Sequence, residues 1–305
     1  MISVVIISKD EAGLDDTLTD VAAQASALSG PCEIVVVDAS QGRLDHIREH
    51  HKAKVRWVAF RRPEGVAVSI PHQRNAGVRT ACGEIVVFTD VGCRPRAGWL
   101  AHMVAPLVDE ESITAGATVT TGGNGLYDHP LPQALGPVYL SEAPTLNFAF
   151  RREVFDAVGG FDERFAYGSD VDFCWRLVDA GYRIRKVNEA VVEHNDGTWQ
   201  RQLRRSYVYG RARARLYRKH RARLRHVLST DAMVVVYPLF LVGLPLTLIF
   251  PFYPALLLIP AWRNRSKGAG RVLVDHLTFG VGVLVELISS PVGYRMWNED
   301  TRRPA

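Results

Sequence analysis

Residues 168–177 read Gly-Ser-Asp-Val-Asp-Phe-Cys-Trp-Arg-Leu, and residues 159–163 read Gly-Gly-Phe-Asp-Glu. This spacing delivers one carboxylate, Asp170, to the first turn of an amphipathic helix. The helix dipole favours the ionised form there by roughly 0.3–1 kcal/mol. An ionised carboxylate at the edge of a cleft can take the proton of a sugar hydroxyl, which is general-base chemistry. The same residues also read as an ordinary capped helix. Ser169 followed three positions later by Asp172 is a capping-box pattern, and Val171, Cys174, Trp175 and Val178 recur at helical spacing as a buried stripe. Asp170 and Asp172 stand two apart, on nearly opposite sides of a helix. They are therefore not an acid/base couple, and the capping job falls to Asp172.

A base of this kind needs a scaffold, and the first ninety residues supply one. Ser3–Ser8 reads as a buried strand running into the acidic turn Asp10-Glu11. Further strands are read at Glu33–Ala39, ending in Asp38, at Val55–Phe60, and at Glu84–Asp90. Helical patterns fall between them near 12–28, 41–50 and 71–82. This alternation predicts an α/β fold, a mostly parallel sheet with helices on both faces. Ligands of such sheets bind beyond the carboxyl ends of the strands, where Asp10, Asp38 and Asp90 all sit. One acid there is an ordinary turn residue; three suggest a polar ligand such as a nucleotide ribose or base. No Gly-x-Gly-x-x-Gly follows the first strand, which argues against a dinucleotide.

Six motifs in order carry a resemblance. They are Ser-Val-Val-Ile-Ile-Ser-Lys-Asp-Glu-Ala from Ser3, Ile-Val-Val-Val-Asp-Ala-Ser from Ile34, Gln-Arg-Asn-Ala-Gly-Val-Arg from Gln73, Gly-Glu-Ile-Val-Val-Phe-Thr-Asp from Gly83, Asn-Phe-Ala-Phe-Arg-Arg-Glu-Val-Phe from Asn147, and the Gly-Gly-Phe-Asp-Glu…Gly-Ser-Asp-Val-Asp pair. From residue 3 to about 215 the chain resembles the family 2 glycosyltransferases. The resemblance implies a GT-A nucleotide-sugar-binding fold, a nucleotide-sugar donor and an inverting transfer. It implies that Asp38 contacts the base and Asp90 the ribose, with Arg74 near the donor and Ser8, Asp10 and Glu11 on the donor side. It places Asn147 and Asp162 on the acceptor side, Asp170 as the base, and His194, with Asp90, at a divalent cation, Mg²⁺ or Mn²⁺.

The departures from that pattern are specific. Asp-x-Asp at the fourth strand end is here Asp90-Val91-Gly92, so the second acid is missing, and hard divalent cations want several oxygen ligands. Diphosphate oxygens of the substrate would supply most of the shell, or basic groups such as Arg74 would replace the cation as charge stabiliser. Cys93 reads as a packing residue. The Glu-Asp pair is Ser169-Asp170, which keeps the base and loses its neighbour. Lys9 stands where an aromatic residue commonly stacks on the nucleobase.

The 305 residues fit a catalytic domain over 1–200, a basic interfacial helical segment over 201–231 and an apolar membrane-associated region over 232–305. Cys32, Cys82, Cys93 and Cys174 lack metal-site spacing and suit reduced thiols in the cytosol. Met1 leads directly into the first strand, with no signal peptide visible. A Gly-rich stretch, Thr121-Gly122-Gly123-Asn124-Gly125, reads either as a loop over the cleft or as a plain surface loop. Between Gly197 and Thr230 stand eleven Lys or Arg and no acid, so the remainder carries 26 basic and 32 acidic residues, a net of −6 against +5 for the whole. Ala232–Trp262 then holds 31 residues without a charge, more than the ~20 that cross a bilayer core. Pro238, Pro245, Pro251, Pro254 and Pro260 break that run. Basic residues flank both of its ends, which favours both ends being cytoplasmic; a re-entrant hairpin would satisfy that and a simple single span would not, so the region reads as a re-entrant hairpin or as transmembrane helices. A second apolar stretch, 272–294, carries Asp275 and Glu286 on one helical face and either lies at the interface or crosses.

These features predict an enzyme at the cytoplasmic face of the cell membrane. It would move a sugar to a hydroxyl of an envelope glycan or a polyprenyl- or lipid-linked acceptor, with the basic run against anionic lipid. The alternative is a catalytically silent nucleotide-sugar binding or scaffold protein, suggested by Gly92 and Ser169. The basic run alone would fit nucleic acid, but the apolar tail beside it argues against that partner.

Overall fold

The computed structural model describes residues 1–66, 68–121, 136–195 and 197–289. The chain forms two compact units, the first ending at Asn195. The first unit runs β1 (Ile2–Ser8), α1 (Leu14–Ser26), β2 (Cys32–Asp38), α2 (Asp45–His51), β3 (Val55–Ala59), α3 (Ile70–Thr80), β4 (Ile85–Thr89), β5 (Cys93–Pro95), α4 (Trp99–Asp109), β6 (Ile113–Thr121), β7 (Tyr139–Leu140), β8 (Asn147–Arg151), α5 (Arg152–Ala157), α6 (Ser169–Asp179) and β9 (Ile184–Asn195). Its nine strands form one sheet in the order β3-β2-β1-β4-β8-β6-β9-β5, with β7 on β9.

The first four strands pair in parallel, as the alternation of apolar runs and helices predicts. Side chains alternate across the pleat. Val4, Ile6, Ile34 and Val36 therefore enter one apolar core, with Leu14, Leu18, Trp99 and Met103. Val5, Val35 and Val37 enter the other, with Phe88, Phe148, Phe150, Phe161 and Phe173. Gly77 of α3 lets that helix lie close on the sheet: a Cβ there would come within 2.4 Å of Val5. The second half of the sheet is mixed. β8 pairs antiparallel with both β4 and β6, while β6 and β9 run parallel. Between Gly116 and Ala117 the β6–β9 register jumps, from partner Val187 to partner Val191. That bulge bends β9 and carries its far end to β5, where Cys93 stands opposite His194. Beyond Thr121, which ends β6, the Gly-rich stretch lies outside the described residues.

The second unit contains α7 (Trp199–Lys219), a 3-10 turn, α8 (Val227–Thr230), α9 (Met233–Val242), two further 3-10 segments at Leu244–Leu248 and Tyr253–Leu257, α10 (Leu258–Arg263) and α11 (Ala269–Ser289). The uncharged run is thus a chain of short pieces; the segments Arg221–Thr230 and Met233–Val242 meet at 83°. Pro245 and Pro254 open the two 3-10 segments of the uncharged run, as residues without an amide proton do; no proline stands at the 83° bend itself. Among the described residues one helix, α11, is long and apolar enough to cross a membrane. Its two acids face α7: Asp275 accepts from Ser206, and Glu286 accepts from Arg211 Nε at 2.9 Å and Arg215 Nε at 2.6 Å. Gly210 and Gly282 allow this approach, since a Cβ on either would strike the backbone of the other helix. Part of the basic run is therefore spent inside the unit. Arg211, Arg215 and Arg218 surround Glu286, and Arg213 pairs with Asp231, rather than lining a lipid-facing collar.

Candidate active site

Helix α3 builds the site through three consecutive polar residues, each committed to a different wall. Gln73 donates from Nε2 to the carbonyls of Ser8 and Val37, both at 3.0 Å, fixing α3 to the ends of β1 and β2. Arg74 is buried beneath the start of α6 and donates from one guanidinium NH₂ to Ser169 Oγ at 3.1 Å. Its Nε has no hydrogen-bond partner among the described residues. Asn75 clamps Phe161 by both main-chain groups, at 2.8 and 2.9 Å, and also reaches Glu163 Oε1. The Gly-Gly-Phe-Asp-Glu segment is thereby pinned to α3, and Gly160 is required because a Cβ would strike Phe155 and Asn75 at a φ of +76°.

The entry to α6 differs from the capping-box expectation. Gly168, at φ +78°, occupies the N-cap with no side-chain cap, a backbone conformation that costs glycine little. Ser169 Oγ serves Arg74 instead. Asp172 is fully buried and pairs with Arg176 Nε at 2.8 Å, one turn on. Arg176 also donates to the carbonyls of Val158 and Gly160, so this pair ties α6 to the glycine turn. Asp170 is left part-exposed on the other side of the helix, its carboxylate accepting from the Val171 amide at 3.0 Å.

At the end of β4 these pieces converge electrostatically. Burial pushes the Asp90 carboxyl above the usual carboxylate range; Arg74 and His194 pull it back down, and Asp170 pushes it further up. Arg74, Asp170 and His194 thus each act on Asp90, although they lie far apart in sequence. Cys93 is fully buried, 3.7 Å from His194 Nδ1. Burial, then the Asp90 charge, push its thiol up to about 12, with a smaller push from Glu11. That is a packing thiol, as its sequence context predicts.

The other end of the cleft lies along β1 and β2. Asp38 Oδ1 accepts from the Ser40 amide and hydroxyl, and Ser40 Oγ accepts from the Asp10 amide. Asp10, at φ +60°, pairs with Arg43 Nε at 2.6 Å, and that bond holds its carboxyl below the usual range. The Ser8 hydroxyl is buried without a partner. With β1 between β2 and β4, Asp38 and Asp90 stand two strand spacings apart, about 10 Å, a span that fits a nucleoside.

Two of the residues expected on the acceptor side hold structure. Asn147 is 2% exposed; it accepts from Trp99 Nε1 at 2.8 Å and donates to the carbonyls of Ala117 and Ala190 at 2.8 and 2.9 Å. Those carbonyls flank the β6–β9 bulge, so Asn147 plugs the irregularity. Asp162 forms a two-pronged pair with Arg164, at 2.9 Å on both oxygens, and caps its own turn. The Asn147 role has no local sequence signature, because its carbonyl partners sit 30 and 43 positions away, whereas the Asp162 pair is local, two positions along the chain.

Asp90 and His194, the residues that the resemblance assigns to a divalent cation, offer one carboxylate and one imidazole at the end of β4, where His194 acts on Asp90. Gly92 opens on space at φ +85° and contributes no ligand. The donor set is thus incomplete by itself and fits a cation whose shell is finished by diphosphate oxygens.

An open α/β sheet with a row of acids along the carboxyl ends of its parallel strands defines the nucleotide-sugar-binding class of fold. The comparisons agree. Residues 3–167 match the family model described as Glycosyl transferase family 2, and residues 88–262 that described as Glycosyl transferase family group 2. The chain belongs to glycosyltransferase family 2. It is 29% identical over 185 residues to the pre-mycofactocin glycosyltransferase of Mycobacterium tuberculosis, covering 56% of this chain and 39% of that protein. It is 24% identical over 177 residues to glycosyltransferase AglE of Haloferax volcanii, covering 53% and 56%. The chain thus spans about half the length, or less, of these curated relatives. In fold it resembles the mannosyltransferase PcManGT of Pyrobaculum calidifontis, solved in complex with GDP-Man and Mn²⁺. The TM-score is 0.68 at 17% identity, over 95% of this chain and 87% of that one. It also resembles GalNAc-T7, solved with UDP, GalNAc and Mn²⁺, with a TM-score of 0.51 at 18% identity over 70% and 50%.

Proposed function

We propose that this chain transfers a sugar from a nucleoside-diphosphate donor to an acceptor hydroxyl in a single inverting displacement. The observation that carries the reading is the convergence at the end of β4 of buried Arg74, which reaches Ser169 beside Asp170, and of His194, opposite Cys93, on the carboxylate of Asp90. The nucleobase lies along Ser8, Asp10 and Asp38, with the ribose toward Asp90. Asp170 takes the acceptor proton as the hydroxyl attacks the anomeric carbon. Arg74, buried and with an unpartnered Nε, faces the negative charge that builds on the leaving diphosphate. A Mg²⁺ or Mn²⁺ held by Asp90 and His194 would supply further neutralisation of that diphosphate. No covalent sugar–enzyme bond is needed, and no nucleophile–base pair is invoked.

The test is transfer, or donor hydrolysis, by Asp170→Asn. The expected loss is roughly 10²–10⁴-fold with nucleotide affinity retained; full activity in that variant ends the proposal. Gly92 and Ser169, in place of two acids, favour a second reading in which the chain binds a nucleotide sugar without transferring it. Binding without turnover in the unmodified protein would establish that one.

We further propose that the second unit seats the protein on the cytoplasmic face of an anionic membrane, beside a glycan or lipid-linked acceptor. Its broken apolar run exposes Leu248 (88%), Ile249 (85%) and Trp262 (68%), between basic residues at Arg221, Arg223 and Arg225 and at Arg263 and Arg265. Exposed apolar area of this kind marks a partner surface, and flanking cations suit anionic headgroups. Co-sedimentation with phosphatidylglycerol vesicles, weaker with phosphatidylcholine, is the expected result; equal recovery with and without vesicles removes the membrane from the account.

A further inference from the structure

Away from the cleft, α1 and α2 bring together a group that the sugar-transfer reading does not use. Asp15 stands in the first turn of α1, and His50 and His51 are the last two residues of α2. His50 Nδ1 and His51 Nε2 each lie 2.8 Å from the same oxygen, Asp15 Oδ1. The two rings are 4.6 Å apart between centroids, inclined at 45°, and the three ligand atoms all fall within 4.8 Å of one another.

Consecutive residues on a helix diverge by about 100°, so neighbouring histidines do not ordinarily meet at a point. Here they do, one through its near nitrogen and the other through its far one. One imidazole would satisfy the Asp15 oxygen; two make a convergent N,N,O set. That set has the composition of a zinc site with an open fourth position. Imidazole nitrogens suit Zn²⁺, Co²⁺, Ni²⁺ or Cu²⁺, whereas Mg²⁺ and Mn²⁺ prefer all-oxygen shells.

The geometry is close to what an ion requires. Tetrahedral bonds of about 2.0–2.1 Å put donor atoms about 3.3 Å apart, so each 2.8 Å separation must widen by about half an ångström. His51 is anchored, its side chain 8% exposed, while those of His50 and Asp15 are exposed enough to make that adjustment. Among the described residues this is the one group of three or more His, Cys, Asp or Glu side chains gathered closely enough to hold an ion.

We propose that Asp15, His50 and His51 bind one zinc-class divalent ion that clips α1 to α2, separate from any cation at Asp90 and His194. The experiment is titration of the full chain with ZnCl₂ alone, by calorimetry and thermal shift, with Co²⁺ absorption reporting coordination. The expected result is one equivalent of Zn²⁺, a raised melting temperature and visible tetrahedral Co²⁺ bands. All three should weaken at least tenfold in His50→Gln, whose exposed ring can be replaced without disturbing the fold, and in Asp15→Asn. They should persist in His194→Gln. Zn²⁺ binding unchanged in His50→Gln, lost in His194→Gln or absent from the unmodified protein overturns the proposal.

Discussion

The two units each join acids to arginines, and they do so on opposite plans. In the second unit Glu286 is fully buried and takes three hydrogen bonds, of 2.6–3.1 Å, from Arg211 and Arg215. Its charge is matched and its geometry closed, so the grouping fastens α11 to α7 and does nothing else. In the first unit Asp90 is pushed up by burial and by Asp170, with Arg74 and His194 opposing but no hydrogen bond to its carboxylate among the described residues. Arg74 keeps an unpartnered Nε. Saturated charge holds a fold together, whereas charge gathered and left incompletely paired is free to meet a ligand, which is why perturbed groups cluster at functional sites.

That contrast can be broken most directly at Asp170. Asp170→Asn should cost about 10²–10⁴ in turnover yet move folding stability by less than about 0.5 kcal/mol, read by a transfer assay beside a denaturant curve. The converse holds for Glu286→Ala. Losing a buried acid between two arginines that are each about one-third exposed should cost on the order of 2 kcal/mol, with donor affinity unchanged. A stable Glu286 variant, or an unstable Asp170 variant, would erase the distinction.

Asn147→Ala sharpens it inside the first unit. The substitution strands the Trp99 indole N–H and two bulge carbonyls, at about 2 kcal/mol in total, measured as a shift in denaturation midpoint. If it left stability intact but raised the acceptor KM, Asn147 would return to the acceptor side. The smallest effect concerns thiols. At pH 8 Cys93, raised to about 12 mainly by burial, and Cys174, also raised by burial, are protonated and shielded. Cys82 is exposed. Mass spectrometry after alkylation of the native protein should find Cys82 modified and these two intact, because the thiolate is the reactive form.

Much of the first unit was legible in the chain. Apolar runs marked β1, β2 and β4 within a residue or two, since a strand covered on both faces has few polar positions, and the edge strand β3 was marked despite its exposed Arg56. The positions of Asp38 and Asp90 at strand ends and of Asp170 at a helix start were legible because those are local features. Motif order singled out Arg74 and His194, and the fold brings both to act on Asp90.

What the sequence determined by itself was the set of chemical groups and the local elements that carry them, because propensity and periodicity act over a few residues. Tertiary structure alone decided what each group was left free to do. Asn147 became a plug, Ser169 was taken by Arg74, and Glu286 was enclosed by α7. The placement of β8 between β4 and β6 belongs here too. A polar side chain is available to a ligand only if no partner distant in sequence has already satisfied it, and the fold supplies those partners.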